Sequence, residues 1–413
     1  MTRKTLCLII MITLASWGLQ AAIIYAVNSE SRTLSRIDTD SQSIDNSFAQ
    51  LGLTPNLMTL DEDHIWVVCS GDNTIQELDR QTGSLLRTLP VAPSCNPWDV
   101  LKIGDYLYVT GLFTDKLYKL SLASGTVVGS LQVGTAPEGL AAYGDLLFVA
   151  NTGGYQNNYA NSSVSVVDLS DFSVVNTIPV WSNPQYLKAL DGRLHVSCTG
   201  NWSDLSGKID VIDIPSQEHL ARIDLNGRLM SVWFSSEGIA LVGEALSTGF
   251  YRYDAHSLSI LNSISNPLQP GAYAIDGNQE LVALMRQNWG SPSLLYIRHP
   301  DLSAWQQYNL GLVCTDIKIY EAPTAVSDDA VTAPGLNLYP NPARRSELLK
   351  LDNRSNKRSE LRLYNLRGQM IHSQILAPGL NELPLAPLTL APGLYFYRSG
   401  LGKSAVNGRL IIR

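Results

Sequence analysis

A nine-residue phrase returns seven times along this chain, and its spacing limits the possible folds more than any other feature. The copies begin at Pro55, Pro97, Pro137, Pro184, Met230, Pro270 and Cys314, so successive starts lie 42, 40, 47, 46, 40 and 44 residues apart. An apolar run follows most copies, as in Ile65-Trp66-Val67-Val68, Leu107-Tyr108-Val109, Leu147-Phe148-Val149 and Leu194-His195-Val196. A second run comes next and usually ends in Asp, at Asp38, Asp79, Asp168, Asp213 and Asp254, with Ser121 and Arg298 in the other two units. Alternating apolar residues bounded by Gly, Asn, Asp and Pro predict strands rather than helices. A period of about 40 to 50 residues with four strands per unit predicts an all-β fold, a seven-bladed β-propeller. The recurrent Asp can accept hydrogen bonds from N–H groups two or three residues on, which fixes a hairpin turn. Because it recurs once per unit, its expected role is structural.

The ends of the repeat are complementary. Ile24-Tyr25-Ala26-Val27 begins a unit that has no return phrase before it, and Cys314–Tyr320 is a return phrase with nothing after it. Pairing the two closes the ring and removes the open edges, giving a propeller over 22–321. Before it, Thr2-Arg3-Lys4, the apolar run Leu6–Leu19 and Leu19-Gln20-Ala21 form a secretory signal over 1–21, cleaved before Ala22. That run is short for a bilayer and carries Thr, Ser and Gly, so the mature chain is expected to have no transmembrane span. After the ring, 322–335 (APTAVSDDAVTAPG) is a linker. Seven short β patterns then lie in 336–413, which predicts a small immunoglobulin-like β-sandwich. Net charge is -7 with no Lys/Arg stripe, which argues against a nucleic-acid partner because phosphate binding needs clustered cations.

Two resemblances follow from these residues. Phe148-Val149-Ala150-Asn151, Val164–Asp168, Thr177-Ile178-Pro179-Val180 and Asn183-Pro184 resemble the YVTN-type propeller repeat of surface-layer-like and exported bacterial proteins, a neighbour of the NHL and lactonase-like propellers. The tail is similar to the C-terminal sorting domain of type IX secretion cargo. The matching residues are Leu338-Tyr339-Pro340-Asn341-Pro342-Ala343, Leu363-Tyr364-Asn365-Leu366-Arg367-Gly368, Leu390-Ala391-Pro392-Gly393-Leu394-Tyr395 and Gly408–Arg413. Arg413 closes the chain where that family commonly has Lys. The second resemblance implies export from the periplasm across the outer membrane by the type IX machinery, then release or attachment at the cell surface.

The propeller resemblance does not decide chemistry, since this fold hosts binding proteins and enzymes alike. There is no H-E-x-x-H, G-x-S-x-G or C-x-x-C arrangement, so no catalytic or metal set is assigned. His195 alternates within a strand and is expected to be packed or hydrogen-bonded. The loops Thr152–Ser162 and Thr199–Lys208 exceed their equivalents and carry Tyr155, Tyr159 and Trp202, and Gln287–Ser291 adds Trp289. Aromatics among Asn, Gln and Asp suit a glycan, a small molecule or a protein segment. The expected ligand face combines them with Trp98, Asp99, Glu138, Gln185 and Tyr186, which open return phrases. A calcium ion or other divalent cation is the cofactor to consider, although the loop oxygens lack an EF-hand order. The resemblance to lactonase-like propellers implies an alternative, a metal-assisted hydrolase using Asp99, Glu138 and Asp316; a structural surface-layer component is a third reading. Cys69 and Cys95 lie in neighbouring units of an exported chain and form the expected disulfide.

Overall fold

The computed structural model describes residues 22–320 and, in the C-terminal part, 336–339, 343–344, 348–353, 358–365, 369–388, 390–391, 393–399 and 406–412. The expected signal and linker lie outside the described residues. The chain divides into two compact units, Met1–Pro323 and Thr324–Arg413.

The first unit is built of seven four-stranded antiparallel sheets. In six of them the strands follow chain order, as in Pro137–Tyr143, Leu146–Asn151, Ser163–Asp168 and Ser173–Pro179. The remaining sheet pairs Cys314–Tyr320 with Ile23–Asn28, joining the two ends of the unit in one ladder. The first strands of successive sheets pack side by side around a ring, and Cys314–Tyr320 returns to Pro55–Leu60. This is the propeller-like arrangement of sheets that the repeat spacing predicts.

Sequence and position agree strand by strand. Second strands such as Leu146–Asn151 (LLFVAN) are apolar on both faces because neighbouring sheets cover both. Fourth strands such as Thr126–Gln132 (TVVGSLQ) alternate exposed and half-buried positions at the rim. Apolar clusters bridge adjacent sheets, one joining Trp66, Val68, Ile75 and Leu89 to Val100, Leu107, Val109 and Tyr118. Each fully buried side chain of this size contributes about 1.5–3 kcal/mol. The recurrent aspartates cap their turns: Asp79 accepts from Gln81 N at 3.0 Å and Thr82 N at 2.8 Å, and Asp254 from His256 N at 2.9 Å and Ser257 N at 2.8 Å.

Two phrase starts require correction. The fifth first strand begins at Leu229 rather than Met230, and the sixth is Ala274–Gly277 rather than a strand starting near Pro270. Pro270 belongs to a loop held by the isolated bridge between Phe250 and Leu268.

In the second unit, Leu336–Tyr339, Leu348–Asn353 and Gly379–Pro384 form one sheet. Met370–Leu376, Ser359–Tyr364, Gly393–Ser399 and Val406–Ile412 form another. Both contribute to a single apolar cluster that includes Leu349, Leu351, Leu361, Leu363, Leu383 and Leu410. Of the expected sorting residues, Gly393 and Tyr395 lie in a described strand, where the Tyr395 hydroxyl donates to Ala391 O at 2.9 Å. Gly408 lies in the last strand; Pro340, Asn341, Pro342, Gly368 and Arg413 fall outside the described residues.

Candidate functional site

In six of the seven sheets the first strand begins with an irregular step, and that step creates the site. Pairing with the second strand shifts register between Pro97 and Val100, between Pro137 and Leu140, and between Pro184 and Tyr186. A bulge of this kind frees residues from the ladder and re-aims their side chains. Trp98-Asp99, Glu138-Gly139 and Gln185 occupy these steps, and Tyr273 directly precedes the first paired residue, Ala274, in the sheet of Ala274–Gly277. The first strands of all seven sheets surround a channel, which contains a cavity of about 410 Å³ lined by residues including Asp99, Tyr186, Lys188, Asp276, Asp316 and Lys318.

The carboxyl groups of this cavity are tied to neighbouring strands. Asp316 accepts from Met58 N at 3.0 Å and from Lys318 Nζ at 3.2 Å. Asp99 accepts from Leu140 N at 2.9 Å and from Val100 N at 2.7 Å, and Asp276 accepts from Ile319 N at 2.8 Å. Each of these aspartates therefore bonds across to the first strand of a neighbouring sheet. Burial pushes Asp99 up to about 7, with Asp316 reinforcing the shift and Lys318 opposing it. Burial works against the Lys318 charge, yet Asp316, Asp276 and Asp99 outweigh it and hold its pKa above the ordinary lysine value.

Nearer the start of the first strands, Glu138 has no such support. It is 6% exposed, and its Oε2 has no hydrogen-bond partner. Burial raises its pKa to about 8, opposed only by a side-chain hydrogen bond with Gln185. Gln185 stands 3.0 Å from the Thr199 hydroxyl. Tyr186 and Tyr273 face each other through their hydroxyls; burial raises both, and the Glu138 and Asp316 carboxyls add to the shift. The two tyrosines thus share a neighbourhood with both Glu138 and Asp316. The region around Glu138 is called the throat below.

Two long loops meet over the throat. In the first, Ser162 Oγ donates within the loop, at 2.8 Å from both Thr152 O and Tyr159 O, and accepts from Asn183 N at 2.9 Å. In the second, Asn201 Oδ1 accepts from Leu205 N at 2.9 Å, while Arg228 donates to Leu205 O and to Ser203 O. Gly153 (φ 84°) and Gly200 (φ 87°) occupy equivalent places in the two loops. A Cβ at either would overlap a carbonyl oxygen of its own loop, that of Ala160 or Leu205, so glycine is required for the chain to double back. Tyr159 and Trp202 hold left-handed backbone conformations at φ 58° and 61°, which persist only where surrounding bonds impose them.

The loops therefore present fixed aromatic rings. Tyr155 is 77% exposed and packs edge-on against Tyr159, with centroids 6.1 Å apart. Trp202 is 43% exposed, and the Arg228 guanidinium lies 5.9 Å from its ring. Burial and the Glu138 carboxyl raise the Tyr159 pKa, while a hydrogen bond with Trp202 opposes the shift. Glu138, Tyr159 and Trp202 thus share one electrostatic neighbourhood.

The expected residues divide accordingly. Glu138, Tyr155, Tyr159, Gln185, Tyr186 and Trp202 come together at the throat, and Asp99 lies in the deeper cluster. Trp98 is half-buried on its bulge. Trp289 is 76% exposed on the last sheet, and among the described residues no hydrogen bond or ring contact links it to the throat. Tyr273, Asp276 and Lys318 carry no sequence signal of their own, and Tyr273 comes to the start of its first strand only when the sixth phrase is aligned later than Pro270. His195 is buried with its Nδ1 2.8 Å from the Tyr253 hydroxyl, and burial lowers its pKa to about 4.

The expected Cys69–Cys95 bridge is not formed in this structure, where both are buried free thiols. Val68 faces the apolar cluster that contains Cys95. Cys69, the next residue in the strand, points to the opposite face beside Gly52, with its Sγ 3.5 Å from Gln76 Oε1. The two side chains therefore lie on opposite faces of one sheet. Among the described residues no group of three or more His, Cys, Asp or Glu side chains is arranged to hold a metal ion.

Solved structures with this architecture are propeller-like proteins. Hydrazine synthase from Kuenenia stuttgartiensis superposes with a TM-score of 0.52 at 13% identity, covering 65% of this chain and 96% of that one. The dihydro-heme d1 dehydrogenase NirN, in complex with DHE, superposes with a TM-score of 0.52 at 15% identity, covering 72% of this chain and 74% of that one. At such identity the likeness concerns fold alone. Residues 337–413 match the family model of the secretion system C-terminal sorting domain. The tail is thus a type IX sorting domain, which supports export and handling by that machinery. No curated protein matches the chain. Among the described residues no helix is long and apolar enough to cross a membrane.

Proposed function

We propose that this chain is an exported, seven-bladed propeller of YVTN type that binds a ligand non-covalently at the throat, at or beyond the cell surface. In this reading 1–21 directs the chain to the periplasm, 22–321 binds, 322–335 links, and 336–413 carries it outward as a sandwich-type sorting domain. The observation that carries the binding role is Glu138, a buried carboxyl whose Oε2 has no partner, lying below two rigid aromatic loops. A buried polar atom without a partner costs about 1–3 kcal/mol, and a ligand that satisfies it recovers that cost.

A thermal-shift screen of the full mature chain against glycans, organic ions, cofactors and metals tests this reading. At least one probe should raise the melting temperature in wild type and lose its effect when Tyr159 and Trp202 are replaced by Ala. The export role is tested separately. Removing 336–413 should hold the propeller in the periplasm, and normal appearance outside the cell would refute it.

The lactonase-like alternative rests on Asp99, Glu138 and Asp316, of which Asp99 and Asp316 line the channel cavity. The Asp99 and Asp316 oxygens already accept backbone N–H groups, and Lys318 supplies a cation beside them, an arrangement that suits a tether between sheets better than an open metal set. Hydrolytic activity lost on chelation would favour the enzyme.

A further inference from the structure

From the throat's geometry we propose that its ligand carries an organic ammonium group, received by Glu138 and walled by Tyr155, Tyr159 and Trp202. This inference rests on the binding role proposed above and narrows it to one chemical class. Three observations converge on it.

Glu138 is more than nine-tenths buried, and its Oε2 lacks a donor. Of the nearby cations, Arg228 donates to Ser203 O and Leu205 O and lies 5.9 Å from the Trp202 ring, Lys318 pairs with Asp316, and Lys188 interacts with Asp276. The throat thus holds a carboxyl that no cation of the chain neutralises. Above it stand aromatic faces, which attract a cation through the ring quadrupole, and more strongly once it is desolvated. A neutral sugar could donate a hydroxyl to Oε2 but would gain nothing from the ring quadrupole. An anion would meet Glu138, Asp99 and Asp316 in succession.

The chemistry has a signature in protons. Without ligand, burial keeps Glu138 protonated up to about pH 8. An ammonium ion needs the carboxylate, so binding releases one proton. Affinity should then rise about tenfold per pH unit below about pH 8 and level off above it.

The test is calorimetric titration of the full mature chain with choline and with 3,3-dimethylbutan-1-ol, the neutral compound of the same shape, with ethanolamine as a primary-amine arm. Choline or ethanolamine should bind at least about tenfold more tightly than the neutral alcohol, and Glu138→Gln should remove that preference together with its pH dependence. Trp202→Ala, on an exposed loop, is expected to fold normally and to weaken the same ligands. If the neutral alcohol binds as well as choline, or if Glu138→Gln changes nothing, the ammonium assignment is overturned. If only a glycan from the thermal-shift screen binds, equally to wild type and Glu138→Gln, the assignment falls while the binding role stands. If no probe of any class binds, both fall.

Discussion

The throat and the cavity below it are built from nearby positions of the same first strands, yet their carboxyl groups are treated in opposite ways. Below, Asp99, Asp276 and Asp316 each accept a backbone N–H from a neighbouring sheet, and Lys318 stands among them. Above, Glu138 has one partner, Gln185, and a bare second oxygen. The bulge that frees a side chain from the ladder can thus serve either cohesion or recognition. Which one results depends on whether a donor from the chain is already in place.

Replacing residues on either side sharpens this contrast. The largest effect is expected at Asp316→Ala, which leaves the buried Met58 N–H and the Lys318 ammonium without their partner. The cost should be about 2–3 kcal/mol in urea unfolding, limited because the lysine still reaches channel water. A loss below about 0.5 kcal/mol would show that the lower cluster does not tie the sheets together.

Glu138→Gln should act in the opposite direction. A carboxyl whose folded pKa is raised binds more protons folded than unfolded between about pH 4.5 and pH 8, so it lowers stability as pH rises through that window. The amide variant should therefore equal wild type near pH 4.5 and exceed it by about 1–2 kcal/mol at pH 6, with the gap widening up to pH 8. Equal stability of the two proteins throughout this window would place a donor on Glu138 after all. The smallest effect belongs to Tyr155→Ala. Its ring is mostly exposed, so stability should change by less than about 0.5 kcal/mol while affinity for any throat ligand drops.

Much of this was legible in the sequence, and the reasons are physical. The repeat spacing and the Asp turns are local, so the sheets and their capped hairpins followed directly from the residues. The loops Thr152–Ser162 and Thr199–Lys208 stood out by length. What escaped depends on register. Tyr273 meets the start of the strand Ala274–Gly277 only with the sixth phrase aligned later than Pro270. Cys69 and Cys95 looked close because their sheets are neighbours, but one residue of alternation sends Cys69 to the far face. The different fates of Asp99 and Glu138 turn on backbone donors from a neighbouring sheet, which spacing along the chain does not reveal.

The most direct test is the titration of Glu138 itself, followed by carbonyl NMR of the full mature chain carrying 13C-labelled glutamate, with Glu138→Gln identifying the resonance. A midpoint near 8 is predicted. A midpoint near the ordinary glutamate value of about 4.3 would mean that the throat carboxyl is already satisfied, and the contrast between the two halves of the channel would be lost.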